Sequence, residues 1–399
     1  METDRPADDV PDRPFDAPSP PHHDEPAPAG RPAWQRLLMA AALLYLFLLA
    51  IGLMGGAFKL FGKGFSQALI TGTSNPVMGL MIGLLATSLI QSSSSTTSIV
   101  VGLVAAGALN VSGAIPIIMG ANMGTTVTNT LVAMTSIGRR NEFVRAFAGA
   151  TMHDFFNLMT ILILFPLEQA THILERTATA LSSILVGAEG VEFHSPVKAI
   201  TKPVVSWAKH ALHDGLGLPD WGAGAIMLAV ALALIFVSLS GLTRTLKTLV
   251  LGKAEGSLTA GIDRGGVVAM IVGLALTVAV QSSSITTSLM VPLIGAGIVS
   301  LEGAFTVTLG ANVGTTVTAL LASLAGNTAA VTVALVHLCF NLAGILIIYP
   351  LKPLRNIPLR LARGLAARAV DKKIWAVYYM VGVFFLLPLV FVLVDRAIH

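Results

Sequence analysis

Two parts of the 399-residue chain gather amides and hydroxyls where almost nothing nearby is charged. Residues 91–98 read QSSSSTTS and residues 281–288 read QSSSITTS, while 120–128 read GANMGTTVT and 310–318 read GANVGTTVT. Positions 75–138 contain no Asp, Glu, Lys, Arg or His, and positions 265–336 contain only Glu302. Side chains of these types hold small ions. A Ser or Thr can cap a helix start while the remaining backbone N–H groups and the positive end of the dipole face an anion. Hydroxyls donate to an oxyanion without bringing a fixed charge, and Ser, Thr, Gln and Asn oxygens, with unwound carbonyls, supply the several ligands that sodium needs. Gln91 and Gln281 each offer one acceptor oxygen and two donor hydrogens, so they suit either ion. Asn122, Thr125 and Thr126, with Asn312, Thr315 and Thr316, are the further candidate contacts. Gly120, Gly124, Gly310 and Gly314 read instead as backbone devices for tight turns or close packing. A multiply charged anion held without Lys or Arg needs its charge offset, which nearby Na⁺ would do.

Both signature pairs stand 190 positions apart (91 to 281, 120 to 310), so the chain contains two copies of one unit. A third pair, HDFFN at 153–157 against HLCFN at 337–341, stands 184 apart, so copy two is shorter in the stretch where copy one carries the charged GRRNEFVR (138–145) and copy two the short AGNT (325–328). Small and hydroxylated residues also line ordinary helix contacts in membranes, and a single serine-rich run reads that way. Two matched runs, each followed at equal spacing by the same Gly-Ala-Asn signature, point to a midplane binding site of the kind found in transporters. His153 and Asn157, like His337 and Asn341, lie four apart on one helix face and read as bonds between helices. Asp154 has Leu338 as its counterpart, which argues against a symmetric catalytic role.

The elements that must position these residues are membrane helices. Apolar residues make up 54% of the chain and charged residues 12%, with mean hydropathy +0.78, against about 25% charged in soluble domains. Runs at 37–54, 146–166, 223–240, 331–350 and 374–394 approach or exceed the roughly 20 residues of a spanning helix, and two interrupted blocks cover 76–137 and 265–324. The apolar runs are continuous rather than alternating, which excludes a barrel. The lone cysteine, Cys339, sits in an apolar run and reads as packing. Residues 1–33, rich in Pro and Asp, read as a disordered cytoplasmic arm rather than a signal peptide, with His22 and His23 plain solvated side chains. The basic loops 138–145, 242–264 and 352–373 belong inside by the positive-inside rule. That places the basic loop after the core of copy one but before the core of copy two, so the copies have opposite orientations. The expected layout is a first repeat at 34–170, an external interfacial connector at 171–222 carrying Trp207 and Trp221, and a second repeat with a final helix at 223–399. The N-terminus lies inside and the C-terminus outside. The Arg-rich stretch 354–370 reads as an amphipathic segment on the inner leaflet or a solvated linker.

At QSSSSTTS and QSSSITTS, at both GAN-x-GTTVT runs and at RAFAGATMHDFFN (145–157), the sequence resembles the type II sodium/phosphate cotransporter family, over about residues 35–395. Its compact loops are similar to those of bacterial members. The resemblance implies an all-α polytopic protein of two inverted repeats, each with a re-entrant helical hairpin carrying a QSSS motif. It also implies sodium-coupled import of inorganic phosphate by alternating access across a cell (inner) membrane. Carried over residue by residue, it implicates Gln91, Ser92, Ser93, Ser94, Ser95 and Thr96, with Gln281, Ser282, Ser283, Ser284 and Thr286, around phosphate and Na⁺. No cofactor beyond the coupling ion, no enzyme activity and no nucleic-acid partner is expected. Membrane lipid is a partner, and a homodimer is compatible with the reading. Ile285 stands where copy one has Ser95, so the two hairpins need not make equivalent contacts. The competing readings are a sodium symporter of sulfate, arsenate or a phosphonate, a proton-coupled carrier, an anion channel, and an intramembrane serine hydrolase. Few titratable groups in the core blocks argue against proton coupling, and the absence of a GxSxG elbow argues against the hydrolase.

Overall fold

The computed structural model describes residues 32–73, 75–186 and 196–398, in which every regular element is a helix. The arm at 1–33, with His22 and His23, therefore lies almost wholly outside the described residues. The helices are α1 Ala33–Gly72, α2 Pro76–Ile90, α3 Ser93–Ala105, α4 Val111–Met123, α5 Val127–Met134, α6 Arg140–Thr171, α7 Ile173–Val186 and α8 Pro196–His210. They continue with α9 Asp220–Arg264, α10 Gly266–Val280, α11 Ser283–Gly295, α12 Leu301–Ser323, α13 Thr328–Ile348, α14 Lys352–Asp371, α15 Ile374–Val381 and α16 Leu387–Ile398. Among the described residues six helices are long and apolar enough to cross a bilayer: Trp34–Gly62, Arg140–Thr171, Asp220–Lys247, Leu301–Ser323, Thr328–Ile348 and Ile374–Asp395. Five of them cover the runs expected from sequence, and the sixth emerges from the second interrupted block. The chain is a polytopic α-helical membrane protein.

Helices α2, α3, α10 and α11 are different. At 15, 13, 15 and 13 residues they are roughly 20–22 Å long, short of a hydrocarbon core of about 30 Å. Each pair is broken at its QSSS motif. Small residues let the pairs pack deeply. A Cβ on Gly83 would fall 1.9 Å from the Ile117 carbonyl oxygen, and one on Gly120 2.0 Å from that of Leu80; in copy two Gly273 meets Val307 O at 2.0 Å and Gly310 meets Met270 O at 1.8 Å. So α2 lies backbone to backbone on α4, and α10 on α12, in matching fashion. The four signature glycines serve close packing: Gly124 and Gly314, like Gly120 and Gly310, face the preceding short helix.

The core interleaves the copies. Phe143, Phe147 and Phe156 of α6 pack with Met290 and Ile294 of α11 and Phe305 of α12. Val101 and Val104 of α3 pack with Ile51 and Met54 of α1, with Ala319 and Ala322 of α12, and with Val333 of α13. Each QSSS helix is thus buried largely against the other copy.

Two stretches differ from expectation, and a third takes the amphipathic form expected of it. The charged run 138–145 is a connection only up to Arg139, because α6 begins at Arg140; Glu142 in its first turn suits the positive helix end. The run 242–264 is no loop but the end of the 45-residue α9, since basic residues are good helix formers and no proline interrupts the run. Residues 354–370 lie in α14, whose Leu359, Ala362, Ala366 and Ala369 are buried at the three- and four-residue spacing of one helix face. In the connector, Trp207 and Trp221 are each 70% exposed.

Candidate functional site

Both breaks are built alike. Gln91 (φ 59°) and Gln281 (φ 56°) end α2 and α10 in the left-handed region, a conformation that costs a non-glycine residue about 1–3 kcal/mol and persists where the surroundings hold it. The side chains do the holding. Oε1 of Gln91 accepts from Thr128 Oγ1 at 2.8 Å, and Oε1 of Gln281 from Thr318 Oγ1 at 3.0 Å. Nε2 of Gln91 donates to the Ser88 carbonyl, and that of Gln281 to the Val278 carbonyl. Thr128 and Thr318 close the two GAN-x-GTTVT runs. Sequence reasoning quoted both runs but did not single out these threonines; their recurrence at the same place in each copy was the available signal.

The serines that follow cap the next helices, as their type predicts. Ser92 Oγ accepts from Ser95 N at 3.2 Å and Ser282 Oγ from Ile285 N at 3.4 Å. Ser92 also bonds Ser95 Oγ at 2.9 Å, a contact Ile285 cannot reproduce. Copy two instead joins Thr277 Oγ1 to Thr286 Oγ1 at 2.9 Å, while Thr87, the counterpart of Thr277, is buried with no partner among the described residues.

Among the remaining hydroxyls, two kinds can be told apart. Those of Thr96, Thr97, Ser98 and Thr286 donate back to carbonyls of their own helix or its cap, as do those of Thr125, Thr315 and Thr316. Their protons are committed, so lone pairs are what they present outward, which suits a cation. The hydroxyls of Ser93, Ser94, Ser283 and Ser284 make no hydrogen bond among the described residues, although Ser93, Ser94 and Ser283 are buried. They keep donors to spare beside the first N–H groups of α3 and α11, which suits an anion.

The asparagines repeated in both copies do something else. Asn122 Nδ2 donates to Asn341 Oδ1 at 3.2 Å, and Asn312 Nδ2 donates to Asn157 Oδ1 at 3.1 Å and to Asn341 Oδ1 at 3.2 Å. Asn157 donates to the Asn122 carbonyl at 3.1 Å and Asn341 to that of Asn312 at 3.0 Å. His337 Nε2 meets Asn122 Oδ1, and His153 Nε2 meets Asn157 Nδ2, both at 3.1 Å. All six side chains are buried. The expected interhelical role of the His and Asn pairs is met, and Asn122 and Asn312, expected as ligand contacts, lie within this lattice between the copies.

Two residues without counterparts break the symmetry. Buried Asp154 accepts from Thr126 Oγ1 and, at 2.7 Å, from the Tyr379 hydroxyl of α15. Among the described residues no Lys, Arg or His pairs with it. A buried carboxylate so placed needs a proton or a cation beside it. Asn129 of α5 accepts from Thr287 at 3.0 Å and Ser288 at 2.9 Å, tying the second QSSS helix to copy one. Its copy-two counterpart is Ala319.

Against known proteins, residues 46–191 and 234–362 match the sequence profile of a family described as Na+/Pi-cotransporter. The chain is 37% identical over 419 residues to sodium-dependent phosphate transport protein 2A of Mus musculus, covering 87% of this chain and 66% of that one. It is 35% identical over 446 residues to sodium-dependent phosphate transport protein 2B of Homo sapiens, covering 89% and 64%. The chain thus spans just under two thirds of the length of these relatives. No solved structure matches it.

Proposed function

Because the chain belongs to the Na+/Pi-cotransporter family, we propose that it is a secondary active symporter, not an enzyme, importing inorganic phosphate with sodium by alternating access across a cell (inner) membrane. The observation that carries this reading is the matched pair of helix breaks, each offering free serine donors beside hydroxyls whose protons are already committed. Donors take the anion and lone pairs take Na⁺. With no Lys or Arg in either block, the sodium ions supply the charge that the anion needs. A tenfold Na⁺ gradient then contributes about 1.4 kcal/mol per ion, and net charge movement about 2.3 kcal/mol per 100 mV.

The two copies act as inverted repeats, each with its QSSS motif at the turn of a re-entrant hairpin. Two contacts are exchanged reciprocally between the copies. The end of α3 meets the loop between α12 and α13, while the end of α11 meets the start of α6. The basic connections then face the cytoplasm, α14 lies along the inner leaflet, the N-terminus is inside and the C-terminus outside. Gln91, Ser92–Thr96, Gln281, Ser282–Ser284 and Thr286 form the substrate and ion site. Thr125, Thr126, Thr315 and Thr316 line it from the GAN-x-GTTVT helices, with Asn122 and Asn312 behind them.

The test is uptake of labelled phosphate into proteoliposomes under an inward Na⁺ gradient, compared with an equal K⁺ gradient. Saturable uptake that requires Na⁺ is the expected result. Folded protein without Na⁺-dependent phosphate uptake would remove phosphate as the substrate, and competition by sulfate, arsenate or a phosphonate would identify the alternative.

A further inference from the structure

The two QSSS helices end in the same way, at positions the repeat makes equivalent. Ala105 closes α3 and Gly295 closes α11, 190 positions apart. Each chain turn then passes through a left-handed glycine, Gly107 (φ 72°) or Gly297 (φ 78°). The last carbonyls of a helix have no donor within the helix. Here each of these two is taken by a side chain from the other copy. Arg145 Nε donates to the Gly295 carbonyl at 2.8 Å, and Asn327 Nδ2 donates to the Ala105 carbonyl at 3.4 Å. Arg145 lies in the second turn of α6, past the basic connection of copy one, and Asn327 is the N-cap of α13 in the short connection of copy two.

The surroundings are equally close. The Arg145 guanidinium carbon lies 3.7 Å from where a Cβ on Gly297 would stand, and a Cβ on Gly326 would lie 3.1 Å from that of Ala105. The two caps are unequal. Arg145 brings a charged donor to the negative end of a helix and bonds at short range, whereas Asn327 is neutral, bonds at long range and also caps α13 through Ala330 N at 3.0 Å. The Arg145 side has a second tie: Arg363 of α14 pairs with Glu302, just beyond the same turn.

We propose that Arg145 and Asn327 are the positioning residues of two opposed gates, each holding the end of the other copy's QSSS hairpin, with the Arg145 gate the more firmly held. This rests on the alternating-access reading above. Neither side chain touches the transported ions. Removing a cap frees one hairpin end and raises the population open on that face, since a state loses weight when a bond made only in it is lost.

The test uses the full chain with Cys339→Ala, reconstituted in one orientation, and a membrane-impermeant maleimide applied to either face. Ser284→Cys reports on the second hairpin and Ser94→Cys on the first. Arg145→Ala is expected to speed labelling of Ser284→Cys from the basic face about tenfold, with Arg145→Lys restoring most of the difference. Asn327→Ala is expected to speed labelling of Ser94→Cys from the opposite face about two- to threefold. Unchanged rates, or a change at the wrong face, overturn the proposal. Should Arg145→Ala fail to reach the membrane, Arg145→Gln carries the same expectation at a smaller fold. Labelling needs no solute, so a protein that labels as expected but does not carry phosphate keeps the gates and loses the substrate. One that carries phosphate with unchanged labelling loses only the gates.

Discussion

Gln91 and Gln281 combine a left-handed backbone with a side chain clamped at both ends, so each break has a fixed shape before any ligand arrives. Replacing either glutamine by Leu removes the clamp and the ligand atoms together. Na⁺-dependent phosphate uptake should fall at least about tenfold, equivalent to about 1.4 kcal/mol. Thr128→Val and Thr318→Val remove only the hydrogen bond that orients the amide, about 0.5–1.5 kcal/mol, and should cost about two- to tenfold. Equal losses from both kinds of variant would mean that the glutamines act only as clamps. Asp154→Asn keeps a polar group for Thr126 and Tyr379 but removes the negative charge. If the carboxylate is balanced by a transported cation, the variant will need more Na⁺ for half-maximal uptake and respond less steeply to it; an unchanged Na⁺ curve would assign the balance to a proton. Residue types and spacing made the glutamines and capping serines legible. The partners of Asp154 were not, because Tyr379 lies 225 positions away and has no copy to reveal it.

At the scale of helices, the pairs α2/α4 and α10/α12 depend on glycine where backbones nearly touch. Gly310→Ala puts a methyl group 1.8 Å from the Met270 carbonyl oxygen, and neither backbone can yield cheaply. The yield of monodisperse protein in detergent should drop sharply, whereas Gly64→Ala, which meets nothing within 4 Å, should leave it unchanged. Similar yields for both would mean that the helices can separate without loss. The spans were legible because lipid demands long continuous apolar helices. Helix ends were less so: charge marks a loop in sequence, yet Arg and Lys extend helices readily, as in α6 and α9. The close approaches at Gly83, Gly120, Gly273 and Gly310 were not legible as such, because only the packing of α2 on α4 and of α10 on α12 brings those backbones together.

Across the whole molecule, hydrogen bonds between buried side chains tie one copy to the other. Asn341 accepts from both Asn122 and Asn312, so Asn341→Leu strips partners from two buried amides at once. With about 1–3 kcal/mol for each buried polar group left unsatisfied, a thermal-shift assay in detergent should show a loss of several degrees. Leu346→Ala, at a side chain 72% exposed, should show almost none; comparable losses would make the lattice ordinary packing. The duplication was legible from motif spacing. The lattice was legible only in part, since His and Asn four apart announce a helix face but not which face meets it. That cross-copy bonding has a consequence for how the protein is made. Asn122 leaves the ribosome 219 residues before Asn341, about 10–40 s at roughly 5–20 residues per second. During that interval the first half sits in lipid with its amides and serine break unanswered. Insertion is therefore a waiting state, and the cell's insertion machinery must shelter the first half until the second is synthesised.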